Sequence, residues 1–335
     1  MPSRTQALID VVRRWRGTRV LVLGDVVADE LVVGRPHQIS REAPILVLRH
    51  VETRILPGGA ANPAANAAAL GASVEICGVV GDDETGRLLV DTLQKAGMGC
   101  EGVFVDPTRP TTTKTRIWAG GAQQTVQQLL LRVDRVEDSP VAAEVTDRMA
   151  AYVARALPDA AAVMISDYEN GVIHPGLIQA SLPAALAAEK LVAVDSHGDL
   201  YRFRGATLFT PNQPEAEATL GQRMTTPDEL EAGGRQLLDG LQAQAVLITR
   251  GLEGMSLFQR DAAPHHLPAA ATPAVDPTGA GDTVSAAFTL AVAAGASLAD
   301  AAEIANAAAS VVVARVGTAT ASADDLVHAL SATIP

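Results

Sequence analysis

The sequence predicts an α/β fold in three layers, a doubly wound and mostly parallel sheet between helices, carrying a small β lid. Three observations point there. Short β-branched runs alternate with alanine-rich segments of helical spacing, the pattern of successive strand–helix–strand crossovers. Most of the runs are apolar nearly throughout, as strands covered on both faces must be. Two segments, 30–52 and 111–133, interrupt the alternation with Gly or Pro turns and read as β-rich excursions.

In chain order, "MPSRTQALIDVVRRWRG" alternates polar and apolar residues at helical spacing and lacks the apolar core of a signal peptide. "RVLVLGD" (19–25) reads as the first strand, followed by the first excursion, a helix at 60–70, the strand "SVEICGVVG" (73–81) and a helix at 84–96. After the second excursion come a helix at 141–156, the strand "AAVMISD" (161–167), a helix at 174–188 and the strands "LVAVD" (191–195) and "ATLFTPN" (206–212). A helix at 226–239, the strand "QAVLITRG" (244–251) and helices at 279–294 and 298–313 complete the pattern. The two excursions would build one lid over the carboxyl ends of the strands, where open α/β sheets bind ligands. With no repeat, low-complexity tract or linker, residues 1–335 read as one domain with the lid inserted.

Composition narrows the partners. The net charge is -12 and the pI about 5.0, which argues against nucleic acid or an anionic membrane as a partner. No apolar run is both long enough and free of breakers to span a bilayer. Two widely spaced cysteines, Cys77 and Cys100, suit a reduced cytoplasmic setting and small core residues rather than a disulfide framework.

Five strands end in a polar residue: Asp25, Asp167, Asp195, Asn212 and Arg250. Any one of them reads equally well as a helix cap, whereas five on one sheet edge read as the rim of a site. The familiar phosphate motifs fail. "GDDETGRL" (81–88) has P-loop spacing, but Arg87 and Leu88 stand where Lys and Ser or Thr are needed. "GAGDTV" (279–284) imitates a dinucleotide fingerprint, but Val284 fills the third small position.

What remains is "DPTGAGDTVSAAF" (276–288), in which Gly279, Ala280 and Gly281 precede an acid, Asp282, and a helix. Small residues admit a ligand close to the backbone, and amides at a helix start favour negative charge. Such an anion hole suits a transferring phosphoryl group, and Asp282 beside it suits a base for the attacking hydroxyl. A tight turn between helices with Asp282 as a cap is the alternative. "PGGAANPAANAAALG" (57–71) adds Gly58 and Gly59, which permit close approach, and Asn62, which can donate to and accept from hydroxyls.

With these two stretches in order and about 220 residues apart, the chain resembles the ribokinase-like, or PfkB, family of carbohydrate kinases. The resemblance runs from "VLVLGDVVAD" to "NAAASVVVARVGT". It implies the ribokinase-like αβα fold, Asp282 as catalytic base and Gly279, Ala280 and Gly281 as anion hole. Asp25, Gly58, Gly59 and Asn62 are implied as sugar contacts. Asn212 and Glu215 match an Asn-x-x-Glu element that helps organise Mg2+, through water at Glu215, and the phosphates of ATP. For Glu215, an acid favoured by the helix dipole is the alternative. Thr249, Gly251 and Gly254 match the nucleotide-side loop, and Asn306 is expected to flank the adenine.

Within the family, "GDVVADELVVG", "ISREAP", "RGATLFTPN" and "RVGT" are most similar to kinases that phosphorylate heptose 7-phosphate at its anomeric hydroxyl. Some relatives carry a C-terminal nucleotidyltransferase; ending at residue 335, the chain is expected to be a stand-alone kinase. Asn170 and His197 stand where those kinases often carry basic residues, so Lys114, Arg116 or Arg41 of the lid is expected to hold the phosphate, Arg116 first for its planar fork. Lys114 and Arg116 alternate along "TTTKTRIW" and therefore share one face of a strand. The stretch "GGAQQTVQQ" looks expanded. A kinase for another sugar, sugar phosphate or nucleoside, and a non-catalytic sugar-binding protein on the same fold, stay open. Lid strands alone would expose apolar edges, which predicts a homodimer joined through them.

Overall fold

Strand and helix alternate through the structure, a computed structural model that describes residues 3–120, 128–269, 276–315 and 319–333. Helix α1 (Arg4–Arg14) is capped by the Ser3 hydroxyl, which accepts the Gln6 N–H. It is followed by β1 (Arg19–Gly24), β2 (Val26–Ile39), β3 (Leu46–Gly59), α2 (Ala61–Ala69), β4 (Ser73–Gly81), α3 (Glu84–Lys95), β5 (Gly99–Asp106), β6 (Thr113–Ala119) and β7 (Gln128–Arg135). The chain continues with α4 (Ala143–Ala156), β8 (Ala162–Asp167), α5 (Pro175–Ala187), β9 (Leu191–Ser196), β10 (Leu208–Phe209), α6 (Gln213–Leu220), α7 (Pro227–Leu241) and β11 (Ala245–Thr249). Strands β12 (Met255–Gln259) and β13 (His265–Leu267) and helices α8 (Ala280–Ala293), α9 (Leu298–Val313) and α10 (Ala323–Thr333) complete it.

The main sheet has nine strands among the described residues, in the order β13-β12-β11-β10-β9-β8-β1-β4-β5. It is parallel from β11 to β5, and β12 and β13 add antiparallel pairs at one edge. Alternate residues feed opposite cores. Val20 and Val22 of β1 pack into a cluster with α1, α2, α8 and α9, while Leu21 and Leu23 pack into a second cluster with α4, α5 and α7. The buried residues of α8 and α9 include many alanines, among them Ala286, Ala287, Ala301, Ala302 and Ala305. Among the described residues no helix is long and apolar enough to cross a membrane.

The lid is a separate four-stranded sheet in the order β3-β2-β6-β7. It is larger than the expected segments, since β2 starts at Val26 directly beyond Asp25 and β3 runs to Gly59. The return into α2 requires Gly59: its φ is +52°, and a Cβ there would lie 2.2 Å from the Asp25 carbonyl oxygen. Residues 121–127, most of "GGAQQTVQQ", and residues 316–318, the last three of "RVGT", lie outside the described residues.

Several elements differ from expectation. The strand expected at 206–212 is only the two residues of β10, with a further isolated bridge from Asn212 to Thr249 beyond Pro211, which has no N–H for the ladder. Strand β5, with two glycines and a glutamate, and helix α6, short and polar, carry no clear period and were not foreseen. Helix α10 and strand β12 were not foreseen either.

Candidate active site

The site is built where the lid meets the carboxyl ends of β1, β8 and β9 and the start of α8. Gly279 caps α8 with φ 78°, a left-handed conformation that suits glycine. Asp282 follows in the first turn and is only 6% exposed. Its Oδ2 accepts the Asn62 Nδ2–H at 2.6 Å, and its Oδ1 accepts the Tyr168 hydroxyl at 3.0 Å. Burial pushes its carboxyl up to about 7, against the pull of these two donors; nearby Asp29 adds to the rise and Lys114 opposes it. The phenol of Tyr168 is itself pushed well above its ordinary value, by burial and then by the Asp282 charge, so it stays a donor.

Of the amides expected to face an anion, Ala280 donates to the Pro277 carbonyl at 3.2 Å, while those of Gly281 and Asp282 have no backbone acceptor among the described residues. A Cβ on Gly281 would meet nothing within 4 Å, so the backbone faces open space there.

The lid supplies three charges. Asp29 of β2 is 5% exposed and sits opposite Lys114 of β6. Arg116 reaches it with an NH1 to Oδ1 distance of 2.6 Å. Both cations face the site as the alternation predicts, but Arg116 is committed to Asp29. Lys114 has no ion-pair partner among the described residues, and its Nζ stands 5.0 Å from the centre of the Tyr168 ring. The ring of His197 packs on the same tyrosine, with centroids 4.3 Å apart. Asp195, at the end of β9, is pushed well up by burial and then by the charges of Asp282 and Glu215.

Two strand-end acids do not point into this space. Asp25, expected as a sugar contact, is 1% exposed and accepts the backbone N–H groups of Tyr168, Asn170 and Val172 at 2.7, 3.3 and 3.1 Å. It shapes the turn that carries Tyr168, and burial raises its pKa to about 6. Asp167 accepts from Ser196, Glu169 and Arg202. Gly58 makes room for the other lid acid, since a Cβ there would lie 2.8 Å from the Asp29 carboxyl carbon. Asp29 itself was missed, although "GDVVAD" continues past Asp25 into β2. Tyr168 was missed because a tyrosine after a strand carries no local signal.

The residues expected on the nucleotide side lie beyond Asp195. Asn212 and Glu215 form a capping box on α6, each side chain taking the other's N–H, at 2.9 and 2.7 Å. Glu215 thus serves the helix start through Oε2, while Oε1 lies 3.7 Å from the His197 ring. Thr249 pairs with Asn212 in an isolated bridge, and Gly251 and Gly254 bound the next turn with φ values of 57° and 86°. Asn306 donates to the Pro268 carbonyl at 2.9 Å, tying α9 to the segment after β13.

Residues 18–325 match the family described as pfkB family carbohydrate kinase. The chain is 37% identical to the bifunctional protein HldE of Pelobacter propionicus over 97% of its length, and 41% identical to that of Paramagnetospirillum magneticum over 98%. It spans 66% of each of these relatives. The ribokinase of Arabidopsis thaliana, solved with ribose and ATP, shares the fold with a TM-score of 0.72 at 21% identity, over 94% of this chain and 99% of that one. A buried acid at the start of α8, a lid over the strand ends and a match along nearly the whole sequence agree, and the chain belongs to the pfkB family of carbohydrate kinases.

Proposed function

We propose that the protein transfers the γ-phosphoryl group of ATP to the anomeric hydroxyl of a heptose 7-phosphate. The observation that carries this is the buried Asp282 carboxylate, held by Asn62 and Tyr168 beside the open face of Gly281 and under a lid that brings Lys114 and Arg116. The similarity to the two HldE proteins supports the heptose.

In this reading Asp282 takes the proton of the attacking hydroxyl. The amides of Gly281 and Asp282, backed by the α8 dipole, hold the oxygens on which charge spreads. The open space at Gly281 fits a phosphate, and Oε1 of Glu215, which the helix start does not use and which lies 3.7 Å from the His197 ring, suits Mg2+ held through water. Bound there, Mg2+–ATP supplies the phosphoryl group and charge neutralisation. Asn212, Thr249, Gly251 and Gly254 line the nucleotide side, with Asn306 behind them. Asn62 and Asp29 orient the sugar, with Asp29 in the place first expected of Asp25, whose oxygens are both taken. Lys114, free of any ion pair among the described residues, meets the sugar phosphate, and Arg116 holds Asp29 in place. A coupled ADP-release assay over sugars and sugar phosphates tests the reading. Preference for a seven-carbon 7-phosphate supports it; faster turnover of unphosphorylated hexoses or nucleosides leaves the kinase and removes the heptose.

The same reading places the enzyme in the cytoplasm as a homodimer joined by its lids. Ile39, Leu131 and Val133 of the lid are 61, 54 and 51% exposed, an apolar surface that a second lid would cover. Light scattering at micromolar concentration should give twice the chain mass, and a monomer removes this assembly.

A further inference from the structure

Asn66 lies one turn beyond Asn62 on α2, is fully buried, and its side chain hydrogen-bonds Asn62 and Thr283. An asparagine amide has a donor end and an acceptor end of nearly equal shape, so its neighbours decide its direction. Here the deciding neighbour is the Asn62 backbone carbonyl, which can only accept and lies 3.1 Å from Asn66 Nδ2. The same nitrogen lies 3.1 Å from Asn62 Oδ1. Asn66 Oδ1 is thereby turned to Thr283, whose hydroxyl donates to it at 2.8 Å, nearer than the Gly279 carbonyl at 3.2 Å. With its Oδ1 held by Asn66, the Asn62 amide has only its N–H left for Asp282, at 2.6 Å. The chain closes on itself, because Thr283 follows Asp282 on α8.

We propose that Asn66 and Thr283 are positioning residues that form a polarity relay, locking the Asn62 amide in the one direction that donates to the Asp282 carboxylate. The proposal rests on the reading of Asp282 as base. Its consequence concerns the proton. A protonated Asp282 would need an acceptor, and a flipped Asn62 carbonyl would serve. The relay denies that flip, so a proton on Oδ2 has no acceptor and only the Tyr168 hydroxyl at Oδ1 could take one, while the carboxylate keeps both donors. The base therefore stays ionised at a lower pH than its burial alone allows. The other groups facing Asp282 are Tyr168 beyond β8, Asp195 of β9, and Asp29 and Lys114 of the lid. None is altered by changes at Asn66 or Thr283.

The test is the acid limb of kcat/KM against pH, which reports the free enzyme's base and should lie near 7 in the unaltered protein. Asn66→Leu removes both ends of the amide and should move the limb upward by about one pH unit, the worth of one hydrogen bond. Thr283→Val, which keeps the shape and loses the hydroxyl, should move it in the same direction by less. Thr283→Ser should return it. The KM for ATP should not change in any of them. If Asn66→Leu does not fold, the Val and Ser pair at 283 decides. A limb that stays in place in the folded variants overturns the relay, whatever happens to kcat. A second readout needs no turnover: exchange of the Asn62 side-chain N–H protons by NMR should be slow in the unaltered protein and in Thr283→Ser, and faster in Asn66→Leu. Should Asp282→Asn turn over normally, it is the base reading that falls, and the NMR exchange alone then decides the relay.

Discussion

Asp282→Asn lowers turnover by about 10²-fold or more while nucleotide still binds. The amide keeps the size of the carboxyl and one oxygen, but it cannot take a proton from an attacking hydroxyl. It also meets the Asn62 N–H, now 2.6 Å from Oδ2, with either its own N–H or an oxygen turned from Tyr168, so one of the two hydrogen bonds weakens. The residues proposed to meet nucleotide, from Asn212 to Gly254, do not hydrogen-bond to Asp282 and are left untouched. Steady-state rates with a separate nucleotide titration check this. A near-normal rate would leave Asp282 as nothing more than a buried acceptor that ties α8 to Asn62 and Tyr168.

Arg116→Ala raises the KM for the sugar phosphate by about tenfold or more and leaves the KM for ATP nearly unchanged. Arg116 NH1 lies 2.6 Å from Asp29, and their side chains are 18 and 7% exposed. Removing one partner of so shielded a pair leaves the other as an uncompensated charge. Asp29 then repels the phosphate and, standing near Asp282, favours protonation of the base. Lys114→Ala, by contrast, takes away a cation without leaving a bare acid, and its loss should fall chiefly on phosphorylated substrates. Both KM values are read from the same ADP-release assay. An unaltered sugar KM in Arg116→Ala would reduce the residue to a lid support with no bearing on substrate.

The two kinds of site residue differ in how they could be read. The glycines and Asp282 sit in one contiguous stretch, where a helix start and small residues announce an anion site without any knowledge of the rest of the chain. Asn62 was legible for the same reason, after its paired glycines. Asp25 shows the opposite case. A strand-end acid reads equally well as a ligand or as a structural acceptor, and only the turn from Tyr168 to Val172, more than 140 residues away, takes up its oxygens. Tyr168, Asp29 and Asn66 have meaning only through partners on other elements.

By itself, the sequence determined the parallel sheet, the covered strands, the lid's existence and the small-residue start of α8, because each follows from periodicity or from residues adjacent in the chain. Tertiary structure alone decided the lid's full extent, the choice of Asp29 over Asp25 at the site, the commitment of Arg116 and the direction of the Asn62 amide. These rest on contacts between elements up to 220 residues apart, as between Asn62 and Asp282. A local pattern specifies which groups a segment offers. Which offered donor meets which acceptor is set by burial, where each polar group must find a partner inside the protein or be left without one.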